Sequence, residues 1–469
     1  MHITSKAPEA GPLETGRLGP MQLGVIALCA LIALLDGFDT QAIGYVAPNI
    51  AEEWGIKPSA FGPIFSAGLF GLMVGAFAIG PLADKVGRRK VILFSTAAFG
   101  LAALATALAE TMEHLLLLRF LTGIGLGAVL PNIIALTSEY APARLRATAV
   151  MVMFCGFPLG STIGGLISAP LMEAYSWRAV FIMGGVAPLA LLPLLLFSLP
   201  ESVRLLAVRG GTEQQIGRIL KRISPDASVA EFIASVHAEK TGAQEGLTVP
   251  KLFADGRATS TILLWVIFFM SLLVYYFLVN WLPILIKASG LPLSLAIIST
   301  ATLNLGGVVG AIVLARLLDR FSPFLILGLT YAATAAFVAM VAYGTTSAGF
   351  LMVAAALAGF GAAGGQIGSN ALAATLYPTA IRATGVGWAL GVGRIGAITG
   401  PLIAGALLAE DWSPKAIILS AAIPSLAASA AAFLMGATRR TIPPERLDQA
   451  MSTSEVAEPA PAFHYGAAP

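Results

Sequence analysis

Long apolar stretches recur along this chain of 469 residues, separated by short segments that carry Gly, Pro or charged side chains. A helix of about 20 mainly apolar residues spans the hydrocarbon core of a bilayer. The pattern predicts twelve such helices, which lie near residues 22–47, 60–82, 91–110, 115–138, 147–170, 178–199, 260–283, 294–318, 324–345, 350–376, 384–408 and 415–436. The predicted fold class is an all-α integral membrane protein, because membrane β-strands would produce short alternating segments instead.

One long polar stretch, residues 200–258, divides the predicted helices into two sets of six. We therefore expect two six-helix bundles joined by a linker. The predicted segments are an N-terminal tail (1–21), an N-terminal bundle (22–199), the linker (200–258), a C-terminal bundle (259–437) and a C-terminal tail (438–469). The C-terminal tail is rich in Ala, Pro and Glu, a composition typical of disorder.

The composition excludes an ordinary soluble enzyme. Hydrophobic residues make up 57% of the chain and charged residues only 11%, against about 25% charged residues in a soluble domain. The sequence contains no pattern typical of a nucleotide-binding loop, a metal site or a nucleophile with its base. We therefore expect no enzyme activity, no cofactor and no metal, and the net charge of +3 gives no indication of nucleic acid binding.

Basic residues are divided unevenly between the two sides of the predicted bundle. With both termini on one side, most of the 28 Lys and Arg residues fall on that side. Only Lys57, Arg178, Lys287 and Lys415 fall on the other side. The positive-inside rule then predicts a multi-pass protein whose termini and linker are cytoplasmic.

The two predicted bundles share a sequence repeat. The pattern P-x-x-x-R-A-T occurs at residues 142–148 and again at residues 378–384. The same displacement relates Gly123 to Gly359 and Gly160 to Gly396. Repeats that flank a cavity at mid-membrane are the basis of alternating access in secondary transporters.

The loop between the second and third predicted helices reads Gly80-Pro-Leu-Ala-Asp84-Lys-Val-Gly87-Arg-Arg-Lys. Gly80 and Gly87 permit a tight reversal, and Asp84 can pair with cations or cap a helix end. This loop resembles the signature loop of the major facilitator superfamily, and the resemblance extends over nearly the whole chain. It implies the major facilitator fold, two pseudo-symmetric six-helix bundles. The predicted gating residues are Gly80, Asp84, Gly87, Arg88, Arg89, Glu139, Arg144, Arg146, Asp319, Arg320 and Arg382.

Ionisable residues inside the predicted spans are functional candidates, because a charge within the bilayer is costly. Asp36 and Asp39 lie in the middle of the first span, and their i, i+3 spacing places both carboxyls on one helix face. Each carboxylate disfavours ionisation of the other. We therefore predict that these two acids are the proton-coupling site; the alternative is a pair of acids held ionised by a structural partner.

Arg394 lies in the middle of the eleventh span, between Gly393 and Gly396. A guanidinium keeps its charge and offers a fork that suits a carboxylate, so we predict that Arg394 binds an anionic substrate. The alternative is a structural ion pair with Asp36 or Asp39. We expect the two acids and Arg394 to meet in one water-filled chamber.

Two further charged residues are associated with the fourth span. Arg119 is a candidate substrate-binding residue, although it could instead lie near the external end and pair with Glu113 or a backbone carbonyl. Glu139 ends the span, and we expect it to form a clasp with Arg144 and Arg146.

Polar and aromatic residues of later spans can complete a substrate pocket. The predicted members are Tyr275, Tyr276, Asn280, Trp281, Gln366, Asn370 and Trp388. Aromatic rings stack on planar molecules, and amides hydrogen-bond to hydroxyl or carboxyl groups. Each of them could equally serve packing, and Trp281 could be an interfacial anchor.

The strings Asp36-Gly-Phe-Asp39-Thr, Gly393-Arg394-Ile-Gly396 and Tyr276-Phe-Leu-Val-Asn-Trp281 together resemble the aromatic acid:proton symporter family. This resemblance implies uptake of 4-hydroxybenzoate, protocatechuate or benzoate with protons across a bacterial inner membrane. The implied partners are an aromatic acid, protons and the lipid bilayer, with a monomer as the working unit. The residues themselves indicate only a small organic anion that moves with protons.

Other functions remain open at this point. A proton symporter for a sugar acid or another small aliphatic anion is the main alternative. Drug efflux by proton antiport would favour cationic or neutral cargo, and Arg394 argues against it. A membrane receptor or scaffold could use the same bundle without any flux.

Overall fold

The computed structural model describes residues 18–223, 228–241, 249–254, 256–344, 347–377 and 379–440. Within these ranges, twelve helices are long and apolar enough to cross a membrane, which confirms the predicted number. We label them α1 (Pro20–Trp54), α2 (Pro58–Val86), α3 (Arg88–Thr106), α4 (Met112–Tyr140), α5 (Thr148–Ala174), α6 (Trp177–Ser198), α7 (Ala258–Ala288), α8 (Leu293–Arg320), α9 (Pro323–Tyr343), α10 (Ala348–Leu376), α11 (Thr384–Ala409) and α12 (Pro414–Thr438). Most of the two predicted tails, residues 1–17 and 441–469, lies outside the described ranges.

Helix α1 is longer than the hydrophobic pattern predicts. It begins at Pro20. Proline suits this position because the backbone N–H groups of the first turn have no acceptor within the helix. The helix continues beyond residue 47 to Trp54 and stops at Gly55, whose φ of 63° favours glycine. Asp36 and Asp39 consequently lie at the middle of α1.

The two bundles repeat the same close helix contacts. In the N-terminal bundle, Gly71 of α2 packs against the backbone carbonyl of Phe120 in α4. In the C-terminal bundle, Gly306 of α8 packs in the same way against the carbonyl of Ala356 in α10. A Cβ atom at either glycine would overlap that carbonyl, so helices approach this closely only through a residue without a side chain. The repeat in the sequence is therefore also a repeat in the packing.

The bundles meet along three helix pairs, α1 with α7, α2 with α11 and α5 with α8. The Ser66 hydroxyl donates to the Ile398 carbonyl (2.8 Å). The Thr162 hydroxyl, which donates to the Pro158 carbonyl of its own helix (2.8 Å), lies 3.3 Å from the Ala301 carbonyl oxygen. We call the half of the molecule that contains the α1–α2 loop the distal half, and the other the linker half. These contacts lie near mid-molecule and in the distal half, where they hold the two bundles together.

The described part of the segment predicted as a polar linker contains three short α-helices, Val203–Val208, Glu213–Ile223 and Val229–Thr241. Their apolar faces are buried with the N-terminal bundle: Ile216 and Leu220 belong to the same hydrophobic cluster as residues of α1 and α4. The opposite faces are charged and exposed, which explains why the hydropathy of the whole segment is low. The linker is thus packed onto the N-terminal bundle over these helices.

Candidate functional site

Asp36 and Asp39 are both buried at the middle of α1, with 2% and 1% of their surfaces exposed. They face different arginines. Asp39 pairs with Arg119 of its own bundle, whereas Asp36 lies in the electrostatic field of Arg394 from the other bundle. Three helix positions leave two side chains about 60° apart around the helix axis, which is enough to direct them to different neighbours. The expected single chamber is therefore divided into two adjacent environments.

The Asp39–Arg119 pair lies inside the N-terminal bundle. Arg119 Nη1 is 3.1 Å from Asp39 Oδ2, and both side chains are almost fully buried. The guanidinium also lies over the ring of Phe181 in α6, 4.8 Å from its centre. The suggested pairing of Arg119 with Glu113 was wrong, because Arg119 points into the bundle whereas Glu113 lies exposed in the first turn of α4.

Asp36 belongs to a cluster that joins the two bundles. The Thr40 hydroxyl donates a hydrogen bond to Asp36 Oδ1 (3.0 Å), one turn further along α1. From the C-terminal bundle, Arg394 of α11 lies close enough for its charge to act on both Asp36 and the side chain of Tyr276 in α7. A buried acid, a guanidinium and a phenol thus face one another across the interface between the bundles.

A small enclosed space adjoins the Asp39–Arg119 pair. It has a volume of about 30 Å³ and is lined by residues of α1, α2, α4 and α7, among them Asp39, Arg119, Thr40 and Asn280. This volume accommodates water but not an aromatic acid. In this conformation the small enclosed space is lined mainly by apolar side chains of the N-terminal bundle and is too small for a substrate.

The other predicted pocket residues lie in different parts of the C-terminal bundle. Trp281 is fully buried and donates its indole N–H to the Pro401 carbonyl (3.0 Å). Gln366 accepts a hydrogen bond from the Ser271 hydroxyl and lies beside Asn370. Trp388 is 47% exposed and stacks on Trp265, away from the small enclosed space. Among the predicted aromatic residues, Tyr276 lies near Arg394.

Sequence reasoning missed several polar residues of this region. Tyr45 is fully buried on α1 and donates to the Ser161 carbonyl (2.8 Å). The side chain of Asn304 accepts a hydrogen bond from the hydroxyl of Tyr275 (2.9 Å), a residue that the sequence did indicate for the pocket. The contact of Thr40 with Asp36 was foreseeable from its i, i+4 spacing. Tyr45 and Asn304 have no comparable local signal, because their partners come from other helices.

The predicted gating loop packs within the N-terminal bundle. Arg88 forms an ion pair with Glu139 at the end of α4 and lies 3.8 Å from Asp84. The Ser202 hydroxyl donates to the other oxygen of Glu139. The expected pairing of Glu139 with Arg144 and Arg146 was therefore wrong. Arg88 of α3 forms the ion pair with the Glu139 carboxylate instead. Glu139 still forms an inter-helix contact.

The start of α3 is held by the first residues of the linker. Gly87 has a φ of 117°, and the Glu201 carboxylate occupies the space that a Cβ atom at Gly87 would require. Glu201 accepts a hydrogen bond from the backbone N–H of Arg89 (3.1 Å), which caps this helix end. Gly80, earlier in the loop, packs beside the ring of Pro131.

The remaining predicted gating residues lie at the ends of helices in the linker half. The side chains of Arg144, Arg146, Asp319 and Arg320 are exposed. Arg146 donates to the Ser138 carbonyl (3.1 Å), and Arg382 donates to the Tyr377 carbonyl (3.3 Å). Their gating role stays a prediction. In the described part of the chain, His, Cys, Asp and Glu side chains form no group of three that could hold a metal ion.

Comparison with known proteins identifies the fold family and its branch. The model of the Major Facilitator Superfamily matches residues 29–348 and 300–464. The 4-hydroxybenzoate transporter PcaK of Pseudomonas aeruginosa is 41% identical over 420 residues, which cover 89% of this chain and 93% of that protein. A gallate transporter of Pseudomonas putida is 40% identical over 88% of this chain and 92% of its own length. The 3-(3-hydroxy-phenyl)propionate transporter of Escherichia coli is 40% identical over 89% and 95%.

Solved structures agree with this fold. The inward open conformation of the xylose transporter XylE from E. coli aligns with a TM-score of 0.69 at 15% identity, covering 88% of this chain and 95% of that one. At this identity the likeness concerns the fold alone. Together with the sequence relatives and the repeated six-helix packing, it places the chain in the major facilitator superfamily, in the branch that contains these aromatic acid transporters.

Proposed function

We propose that this protein imports an aromatic carboxylate of the 4-hydroxybenzoate, protocatechuate or benzoate class together with protons, by alternating access. The observation that carries the proposal is the cluster of Asp36, Arg394 and Tyr276 at the interface of the bundles. It combines a group that can take up a proton with a group that binds anions, on helices of the two halves that move relative to each other. The relatives' names supply the aromatic ring.

Each residue of the cluster has a defined task in this scheme. Arg394 binds the substrate carboxylate, and the Tyr276 hydroxyl orients the guanidinium. The bound carboxylate replaces Asp36 as the counter-ion of Arg394, and a proton then neutralises Asp36, which has lost its cation. Both ligands thus remove unpaired charge from the interface, so the loaded bundles can close around them and reopen on the other side.

The proposal includes the setting of the protein. The side with most basic residues, which carries the termini and the linker, is cytoplasmic. The protein then lies in the inner membrane of a bacterium, works as a monomer, and uses the proton as its coupling ion without another cofactor. With this orientation the distal half faces outward, and the inter-bundle contacts there correspond to a conformation closed to the outside.

Uptake of labelled 4-hydroxybenzoate into proteoliposomes tests this function. An inward proton gradient should drive accumulation, and substrate addition should raise the pH of a weakly buffered medium. Arg394→Ala should abolish binding and uptake, whereas Trp388→Phe, a change outside the cluster, should leave both within about twofold of the wild type. Competition by gluconate but not by benzoate would favour an aliphatic acid instead, and absence of flux with either acid would contradict transport of this class.

A further inference from the structure

Arg119 is held by more contacts than its ion pair with Asp39 requires. Its Nη2 atom donates to the hydroxyl oxygens of Thr106 and Thr122, both at 3.0 Å. The Phe181 ring lies against the guanidinium from α6. Three helices of the N-terminal bundle, α3, α4 and α6, therefore hold this cation independently of α1.

The two hydroxyl groups are themselves fixed in orientation. Thr106 donates its hydrogen to the Ala102 carbonyl (2.8 Å), and Thr122 donates its hydrogen to the Leu118 carbonyl (2.7 Å). A hydroxyl has one hydrogen, so the lone pairs of both oxygens remain for the guanidinium. The two threonines form a rigid acceptor pair on the walls of α3 and α4.

Asp39 is held much more loosely. Its Oδ2 atom contacts Arg119 at 3.1 Å, while its Oδ1 atom accepts no hydrogen bond from the described residues. The pair is therefore a single contact and not the bidentate fork that Arg can form with a carboxylate. Arg119 is held by side chains of α3, α4 and α6. Asp39 depends on its one bond to Arg119 and on the position of α1.

We propose that Thr106 and Thr122 are positioning residues for proton coupling, which keep Arg119 in place so that the carboxylate of Asp39, and not the arginine, moves when the pair opens. This inference rests on the proposed function. A long arginine side chain without anchors would follow the carboxylate or turn away alone, and opening of the pair would then not require any movement of α1. With a fixed cation, the pair has two discrete arrangements that differ in the position of α1.

The charges around α1 connect this motion to the substrate site. Among the described groups, Asp39 faces Arg119 from α4 and has Asp36 as its neighbour on α1. Asp36 in turn faces Arg394 from α11 and Tyr276 from α7. Protonation of Asp39 releases α1 from the N-terminal bundle at the level where Asp36 meets the C-terminal bundle.

The test compares two transport modes of the full-length protein in proteoliposomes. Exchange of labelled for unlabelled 4-hydroxybenzoate without a gradient measures substrate movement, and net uptake driven by a proton gradient measures coupling. Thr106→Val/Thr122→Val should leave exchange within about twofold. It should lower net uptake roughly tenfold, the size expected for losing hydrogen bonds to a charged group, and shift the dependence of uptake on pH.

Two variants control for general damage. Thr106→Ser/Thr122→Ser keeps both hydroxyls and should restore net uptake and its pH profile. Thr330→Val removes a buried hydroxyl that donates to the carbonyl one turn earlier in α9, away from any arginine contact that the structure describes, and should behave like the wild type. If the double valine variant does not reach the membrane, Thr122→Val alone is judged by the same criteria.

The inference would be overturned by an unchanged pH profile and net uptake in the valine variant, or by an equal loss in the serine variant. Failure of the proposed function has a different signature, because the wild type itself would then show no proton-driven uptake of the aromatic acid. Loss of exchange and net uptake in equal measure would also count against a positioning role, since it would indicate damage to substrate binding.

Discussion

The ammonium group of Lys287 lies 2.6 Å from the carboxylate of Glu52 and thereby joins the distal end of α7 to that of α1. Both side chains lie at the surface, so the pair is weak and sensitive to salt. It nevertheless connects the two bundles at the place where they must separate to open the distal side.

Breaking this pair should favour the distal-open conformation. We expect Glu52→Gln to increase, by a few-fold, the rate at which a membrane-impermeant maleimide labels a cysteine placed at Thr162. Thr162 lies at the α5–α8 contact, which is covered while the distal side is closed. The background is Cys29→Ala/Cys155→Ala, since these are the two cysteines of the chain.

The charge-exchanged variant Glu52→Lys/Lys287→Glu provides the matched control and should return labelling to the starting rate. High salt should raise the rate in the parent protein and have little effect on Glu52→Gln. Equal labelling of all variants would show that the pair does not hold the distal side closed.

The buried pair of Asp39 and Arg119 predicts a second, thermodynamic result. Asp39→Asn leaves a guanidinium without its counter-ion inside the bundle and should lower the free energy of unfolding by about 3 kcal/mol. Asp39→Asn/Arg119→Met removes both charges and should recover most of that loss. Thermal unfolding in detergent measures both variants, and a double variant less stable than the single one would contradict the pair as described.

The proximity of Arg394 and Tyr276 predicts a graded effect on substrate affinity. Tyr276→Phe removes the hydroxyl but keeps the ring, and should raise the KM for 4-hydroxybenzoate roughly tenfold, because the proposed site loses a polar group beside the Arg394 charge. Tyr331→Phe removes another buried hydroxyl, bonded to Ser369, and is the control. Similar KM values for the two variants would place the substrate away from Tyr276.

The repeated glycine contacts predict paired packing defects. Gly71→Ala and Gly306→Ala each place a methyl group against a backbone carbonyl of the neighbouring helix, and each should lower stability by about 1–3 kcal/mol. Gly24→Ala and Gly387→Ala are matched controls in helices of the same two bundles, because an added Cβ meets no atom within 4 Å at either position. The yield of monodisperse protein and its midpoint of thermal unfolding distinguish these outcomes.

Much of the architecture could be predicted from local properties of the chain. The number of spans depends on runs of apolar residues, and the repeat shows as a P-x-x-x-R-A-T string and glycines at one displacement, so both were visible without coordinates. The choice of Asp36, Asp39 and Arg394 as functional candidates followed from the cost of charge in a bilayer. The linker helices were missed because their charged faces lower the average hydropathy, while their apolar faces show only in the packing.

The sequence by itself determined which residues must find a partner, and only the tertiary structure decided which partner each one has. Asp39 pairs with Arg119, Asp36 faces Arg394, and Glu139 pairs with Arg88, each across helices that are distant in sequence. Burial makes an unpaired charge costly wherever it occurs along the chain. The direction in which each side chain points, and the neighbour it meets there, depends on how twelve helices pack against one another.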